Sequence, residues 1–384
     1  MKRFVLTIIV SLFVFIGVIV TCNIIADSAS YKTSQVEVKK ISGQWVSCKK
    51  GTNTKVKYTG IAQNKYGWWR VKNGYVDFKA DGIYQNDYGW WKTTNGKVTF
   101  LDHGVYQNKY GWWKVEDSKV NFDYNGLASN EHGTWRIVNG KVDFSYTGLF
   151  TFRGVTYILN DGKVIKVAEP CNKRMLFLGD SIASGYMMYG EKVNNIEKSY
   201  PNVASNYVGF DIDNLARAGE SYCRRSNEVS SSYFIMNTDI SKYDVIVLST
   251  GIIDYFSNYY LGDWNDYSYS TLRGAINMIC SEINKANKIR ASENLPPIDV
   301  VVCKINYVFK YNKNKIGYTI SDYNEVICET FKEKLAVEPT ILTPSVLNSK
   351  TYKSYTTDDL HPNKKGIENQ AISFIEDLTR ADII

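Results

Sequence analysis

The chain has 384 residues, 39 of them acidic, and a net charge of +7 with its lysines and arginines scattered. That length allows two domains and a sizeable core, and the absence of a basic run excludes a surface that grips nucleic-acid backbones. Beyond residue 30 the six cysteines (Cys48, Cys171, Cys223, Cys280, Cys303 and Cys328) form no CxxC pair, so a zinc or redox motif is not expected, and no other metal or organic cofactor is expected either.

Met1-Lys2-Arg3 is a short basic start, and Phe4 to Ile25 is almost wholly apolar. Residues 1–30 read either as a signal peptide or as an N-terminal membrane anchor through residues 4–25. Both readings put the remainder outside the membrane, so an extracellular protein, secreted or attached to the cell surface, is expected.

Residues 43–168 are periodic. Gly67, Gly89, Gly111 and Gly133 recur every 22 residues, as do Trp69, Trp91, Trp113 and Trp135. Between them fall Asn73-Gly74, Asn95-Gly96, Asn139-Gly140 and Asp161-Gly162, which tolerate the positive φ of a two-residue hairpin turn. An all-β domain of hairpins is expected, each sharing its aromatic face with a neighbour. Trp68, Trp69, Trp90, Trp91, Trp112, Trp113 and Trp135 are the candidate carbohydrate contacts, because aromatic faces stack on sugar rings and weak sites gain by avidity. Alternation along a strand makes one Trp of each pair the more exposed. These repeats resemble the aromatic wall-binding and glucan-binding repeats of exported bacterial proteins, which implies a polysaccharide or cell-wall glycan as partner.

Glu169-Pro170 marks the expected boundary of a second domain, residues 172–384. Apolar strand-like runs at Met175–Leu178, Phe210–Leu215, Val245–Ser249, Val300–Ile305 and Thr340–Leu342 alternate with helical patterns. The clearest of these patterns are Ser270 to Ala291, Asp322 to Ala336 and Lys365 to Arg380. Such alternation predicts an α/β parallel sheet with helices on both sides. Gly179 permits a sharp turn after the first run, and Asp180-Ser181 would open a helix there, with the Ser181 hydroxyl at the carboxyl edge of the sheet. A serine hydroxyl needs a base, and the base needs a group that holds its tautomer. His361 is the one histidine outside the N-terminal half, and Asp358 precedes it by three residues. Pro362 keeps the pair on a loop ahead of the last helix.

Gly179-Asp180-Ser181 followed by Asp358-x-x-His361 resembles the SGNH hydrolases, also called the GDSL esterase/lipase superfamily. The resemblance implies a five-stranded flavodoxin-like sheet, with Ser181 as nucleophile, His361 as base and Asp358 as orienting acid. Asn214-Leu-Ala-Arg-Ala-Gly219 matches a second block, whose glycine joins Ser181 in lending a backbone N–H to the oxyanion hole. A third block normally reads Gly-x-Asn-Asp, and its Asn is a further donor. This chain has Gly251-Ile252-Ile253-Asp254, and Ile253 has no hydrogen to donate. Asn258, Ser249 and Arg217 are the nearby candidates to replace it.

Asp180, Asn214, Asp254, Tyr255 and Asn258 are the expected substrate contacts, and Arg217, Arg224 and Arg225 would favour an anionic group. The expectation is therefore an exported serine esterase that removes acyl groups, O-acetyl above all, from a polysaccharide held by the repeats. A degenerate domain that only binds, and an O-acyltransferase, are the alternatives.

Overall fold

The computed structural model describes residues 31–224, 230–305 and 313–384. The expected export segment, its anchor reading at residues 4–25 and Arg225 lie outside them. Among the described residues no helix is long and apolar enough to cross a membrane. The chain forms two compact units that divide between Phe144 and Ser145.

The first unit is all β. Each repeat is a three-stranded meander, as in Gly60–Asn64, Gly67–Lys72 and Tyr75–Val76. Gly60–Asn64 pairs antiparallel with Gly67–Lys72, which in turn pairs with Tyr75–Val76 across Asn73-Gly74. Asn73 and Gly74 have φ of 50° and 88°, the left-handed pair that this turn demands. The array begins earlier than position 43: Val36–Ile41 pairs with Gln44–Lys49 along its whole length. Alternating Val36 and Val38 bury that hairpin against Val71 and Ala62 of the next repeat.

Neighbouring repeats share their cores, as a unit too small to cover its own apolar face must. Ile61 of one repeat packs with Trp91 and Val98 of the next, and Ile83 packs likewise with Trp113 and Val120. The two tryptophans of a pair are treated differently. Nε1 of Trp69, Trp91, Trp113 and Trp135 donates to the side-chain oxygen of Asn64, Asn86, Asn108 and Asn130 respectively, at 2.9 to 3.1 Å. The same oxygens accept the backbone N–H two residues on. Trp91 and Trp113 are buried, whereas Trp90 and Trp112 are half-buried.

The second unit holds a parallel sheet of strands Arg174–Gly179, Asp211–Asn214, Val245–Ser249, Asp299–Cys303 and Thr340–Leu342, running in the order second, first, third, fourth, fifth. Successive side chains enter opposite cores. Leu176, Leu178, Ile246, Leu248, Val300 and Val302 pack under helices Leu272–Ser292 and Ile320–Lys334. Met175, Phe177, Val245, Val247 and Val301 pack under helices Tyr200–Val208 and Lys364–Arg380. The expected strands and long helices are present to within a few residues. The boundary differs from Glu169-Pro170: the last, Trp-free hairpin (Gly148–Phe152, Val155–Asn160 and Lys163–Val167) belongs to this unit. Its Ile158 is fully buried in the second of the two cores, and Asn160 donates to Glu376 of the final helix.

Asn86→Ala leaves the buried Trp91 indole N–H without an acceptor, at a cost of about 1–3 kcal/mol. Urea unfolding followed by tryptophan fluorescence should show a lower midpoint for this variant, and an unchanged midpoint would mean that the lock is idle.

Candidate active site

Gly179 ends the first strand where the chain must turn beside its neighbour. A Cβ there would lie 2.6 Å from the Ala183 Cβ and 3.1 Å from the Ser249 carbonyl oxygen, so only glycine fits. The segment after it is not the regular helix expected. Ser184 N–H bonds Asp180 O, Gly185 N–H bonds Ile182 O and Tyr186 N–H bonds Ser181 O, a run of unlike turns. Asp180 spends its carboxylate on the Ile182 N–H at 2.9 Å, which fixes the turn that carries Ser181.

Ahead of the final helix, Asn363 is the N-cap, accepting from Gly366 N–H and donating to the Ser354 and Thr356 carbonyls. Thr357 N–H bonds His361 O at 2.8 Å, closing the loop that holds the histidine. Asp358 Oδ1 accepts the His361 N–H at 2.8 Å, and its Oδ2 lies 2.8 Å from His361 Nδ1. Burial opposes ionisation of Asp358, but the bonds from His361 and from the Leu360 N–H outweigh it and hold the carboxyl below its ordinary range. An ionised Asp358 keeps the proton on Nδ1, which leaves the Nε2 lone pair as an acceptor. His361 Nε2 is 3.0 Å from Ser181 Oγ, across 180 positions of sequence. The Tyr186 ring meets the imidazole edge-on at 5.2 Å.

The second loop is clipped to the first: Arg217 N–H bonds Gly179 O at 3.0 Å. Asn194 adds a clamp, its Oδ1 lying 2.9 Å from Ser184 Oγ and accepting Ala218 N–H at 3.3 Å. Gly219 has φ of +89°, and nothing lies within 4 Å of where a Cβ would stand. Among the described residues neither the Ser181 N–H nor the Gly219 N–H has an acceptor, so both are available to an oxyanion. Ile253 lays its side chain against the core under helix Leu272–Ser292.

Four of the five expected substrate contacts are committed elsewhere. Asp254 is fully buried and accepts the Tyr222 and Cys223 N–H groups at 2.8 Å each. Tyr255 is in the core. Asn214 donates to Ser199 and Asn202, and Asn258 links Phe256 O to the Lys315 N–H. Asp180 alone adjoins the nucleophile, with its carboxylate spent on the turn. Arg217 pairs with Glu220 at 2.8 Å, and the Arg224 guanidinium lies 3.6 Å from the Tyr233 ring centre. Tyr186 and Asn194 went unnoticed in the sequence, because their roles rest on contacts across the fold and neither carries a local motif.

Three buried acids lie under the site. Burial pushes Asp180 up to about 7 against the Ile182 N–H, and Glu220 up to about 7 against Arg217. Burial likewise raises Asp254 to about 6, against the bonds from Cys223 and Tyr222. A carboxyl whose folded value exceeds its unfolded one binds its proton more tightly when folded, so its contribution is complete below about pH 4 and lost as pH rises toward 7. Stability of the second unit should therefore carry a falling component between those limits, flattened by Glu220→Gln. A denaturant series over pH 4 to 7 in which both proteins slope alike would contradict this.

A family described as GDSL-like lipase/acylhydrolase matches residues 175–374, and one described as choline-binding repeat matches residues 57–77 and 123–143. No curated protein matches the chain. Among solved structures, a protein from Lactobacillus plantarum is 22% identical with a TM-score of 0.41, over 54% of this chain and 97% of that one. The psychrotrophic esterase of Pseudoalteromonas sp., inhibited by monoethylphosphonate, is 12% identical with a TM-score of 0.37, over 55% and 98%. A family two carbohydrate esterase from Clostridium thermocellum, in complex with cellohexaose, is 15% identical with a TM-score of 0.40, over 59% and 69%. With the family matched across more than half of its length, over the segment that carries Ser181, Asp358 and His361, the chain belongs to the GDSL-like lipase/acylhydrolase family.

Proposed function

We propose that the second unit is a serine esterase, and the observation that carries this is the hydrogen-bonded line from Asp358 through His361 to Ser181. His361 Nε2 takes the Ser181 proton as Oγ attacks an acyl carbonyl. Asp358 holds the imidazole and stabilises the cation it becomes. The alkoxide on the carbonyl carbon is met by the Ser181 and Gly219 N–H groups. The tetrahedral adduct then collapses, His361 returns the proton to the leaving alcohol, and water frees the acyl group by the same route. The strand order second, first, third, fourth, fifth is that of flavodoxin-like sheets, in which ligand crevices open at the carboxyl edge.

The repeats support a carbohydrate ester as substrate, O-acetyl on a surface polysaccharide, and the apolar segment at residues 4–25 supports export. Ile253 favours a second reading, a domain that binds its ester without turning it over, because losing one oxyanion donor typically costs about 10²–10³ in kcat.

On a short acyl ester, Ser181→Ala should lower kcat by about 10³-fold or more, and equal rates for the two proteins would eliminate the enzyme. Asp358→Asn should lower kcat by about 10³–10⁴ through loss of the tautomer. Ile253→Asn should raise kcat about tenfold or more by restoring a third donor. A folded Ile253→Asn variant, verified by its thermal midpoint, that gained nothing would mean that two donors already saturate the hole.

A further inference from the structure

The second tryptophan of a pair has its face filled from within by a lysine of the following repeat. Lys97 stands directly across the sheet from Trp69, Lys119 from Trp91 and Lys141 from Trp113. Their ammonium nitrogens lie over the indoles, 5.3, 5.3 and 5.4 Å from the ring centres, within cation–π range. Glycine makes room for each: a Cβ on Gly67, Gly89 or Gly111 would meet the Cε of that same lysine at 2.8, 2.9 or 2.5 Å. The other aromatics close on one another. Trp68 touches Trp91 with ring centres 4.9 Å apart, and Trp90 touches Trp113 at 5.0 Å, with Phe100 and Phe122 set edge-on against them.

What stays available is the first tryptophan of each pair. Among the described residues no group accepts from Nε1 of Trp68, Trp90 or Trp112, in contrast to the second tryptophans locked by asparagine. Opposite each stands a glutamine in register: Gln63 with Trp68, Gln85 with Trp90, and Gln107 with Trp112. The glutamine carboxamides make no hydrogen bond to a described residue. Trp90 and Gln85 line an open groove of about 530 Å³, and one repeat further Trp112 and Gln107 line another of about 410 Å³. The next repeat breaks the pattern, with Ser129 bonded to Thr134 at the equivalent places.

Resting on the reading that the repeats bind carbohydrate, we propose that the Trp90–Gln85 and Trp112–Gln107 grooves are consecutive subsites for a neutral polysaccharide. In each, the indole stacks on a sugar ring, while Nε1–H and the carboxamide bond hydroxyls.

The full-length protein is run in native gels containing hydroxyethylcellulose, dextran or laminarin, with and without tens of millimolar choline chloride. At least one polysaccharide should retard it, choline should leave the retardation unchanged, and the Gln85→Ala/Gln107→Ala pair should weaken it about tenfold or more. Trp90→Ala/Trp112→Ala should abolish it. The glutamine pair keeps the test sound if loss of tryptophan unfolds a repeat, since those side chains hold nothing else in place. Retardation that survives in both double variants would overturn the subsites while leaving carbohydrate binding intact. Retardation by none of the three polysaccharides would overturn the carbohydrate reading itself, and loss of retardation in choline would overturn the assignment of the grooves to a neutral sugar.

Discussion

A parallel sheet buried on both faces can present polar groups only at its ends. In the second unit, strands Arg174–Gly179, Val245–Ser249 and Asp299–Cys303 send alternate side chains into two apolar cores, so between their ends they offer water almost nothing. The chemistry is therefore pushed onto the loops that leave the carboxyl edge, and the packing of the sheet decides where those loops meet. Gly179 ends the first strand and Gly219 and Gly251 stand in such loops, while Arg217 N–H and Asp180 N–H tie the loops to neighbouring strand ends. The meeting of Ser181 with His361 follows from this constraint as much as from the two residues themselves.

The same crowding explains the buried acids. Asp180, Glu220 and Asp254 are each withdrawn from solvent, and each bonds the backbone or a side chain of a loop at the site. They act as internal struts, holding turns that no regular element supports. Burying three carboxyls close together disfavours their ionisation, so the rigidity of the site is bound up with protonation beneath it.

What could be read from the residues alone divides along physical lines. Asn-Gly pairs at a fixed step announce hairpins, because few residues adopt their backbone angles, and the folded repeats keep that step. Gly179-Asp180-Ser181 and Asp358-x-x-His361 were legible because each is a short local device whose parts are neighbours in the chain. Helix Tyr200–Val208 was missed, being short and opened by a proline, and the turn at Ser181 was taken for a helix because glycine and aspartate open both. The expected substrate contacts turn out to be engaged within the protein for a different reason. Asp254 and Asn258 are polar and close to a motif, but polarity does not say whether a side chain serves a ligand or a backbone amide. Asn194 and Tyr186 act only through the folded chain, so no pattern in the order of residues exposes them.

The seating of each lysine over the tryptophan of the preceding repeat has a consequence for how the array is put together. Gly89, Trp91 and Lys119 form one contact, yet they come from two successive copies of the 22-residue unit. A single excised copy would carry a glycine notch without its lysine and a lysine without its notch. Length can therefore change cleanly only by inserting or removing copies in phase, so that every junction again supplies the missing half, and a frame slip of a few residues would unseat the contact that spans it.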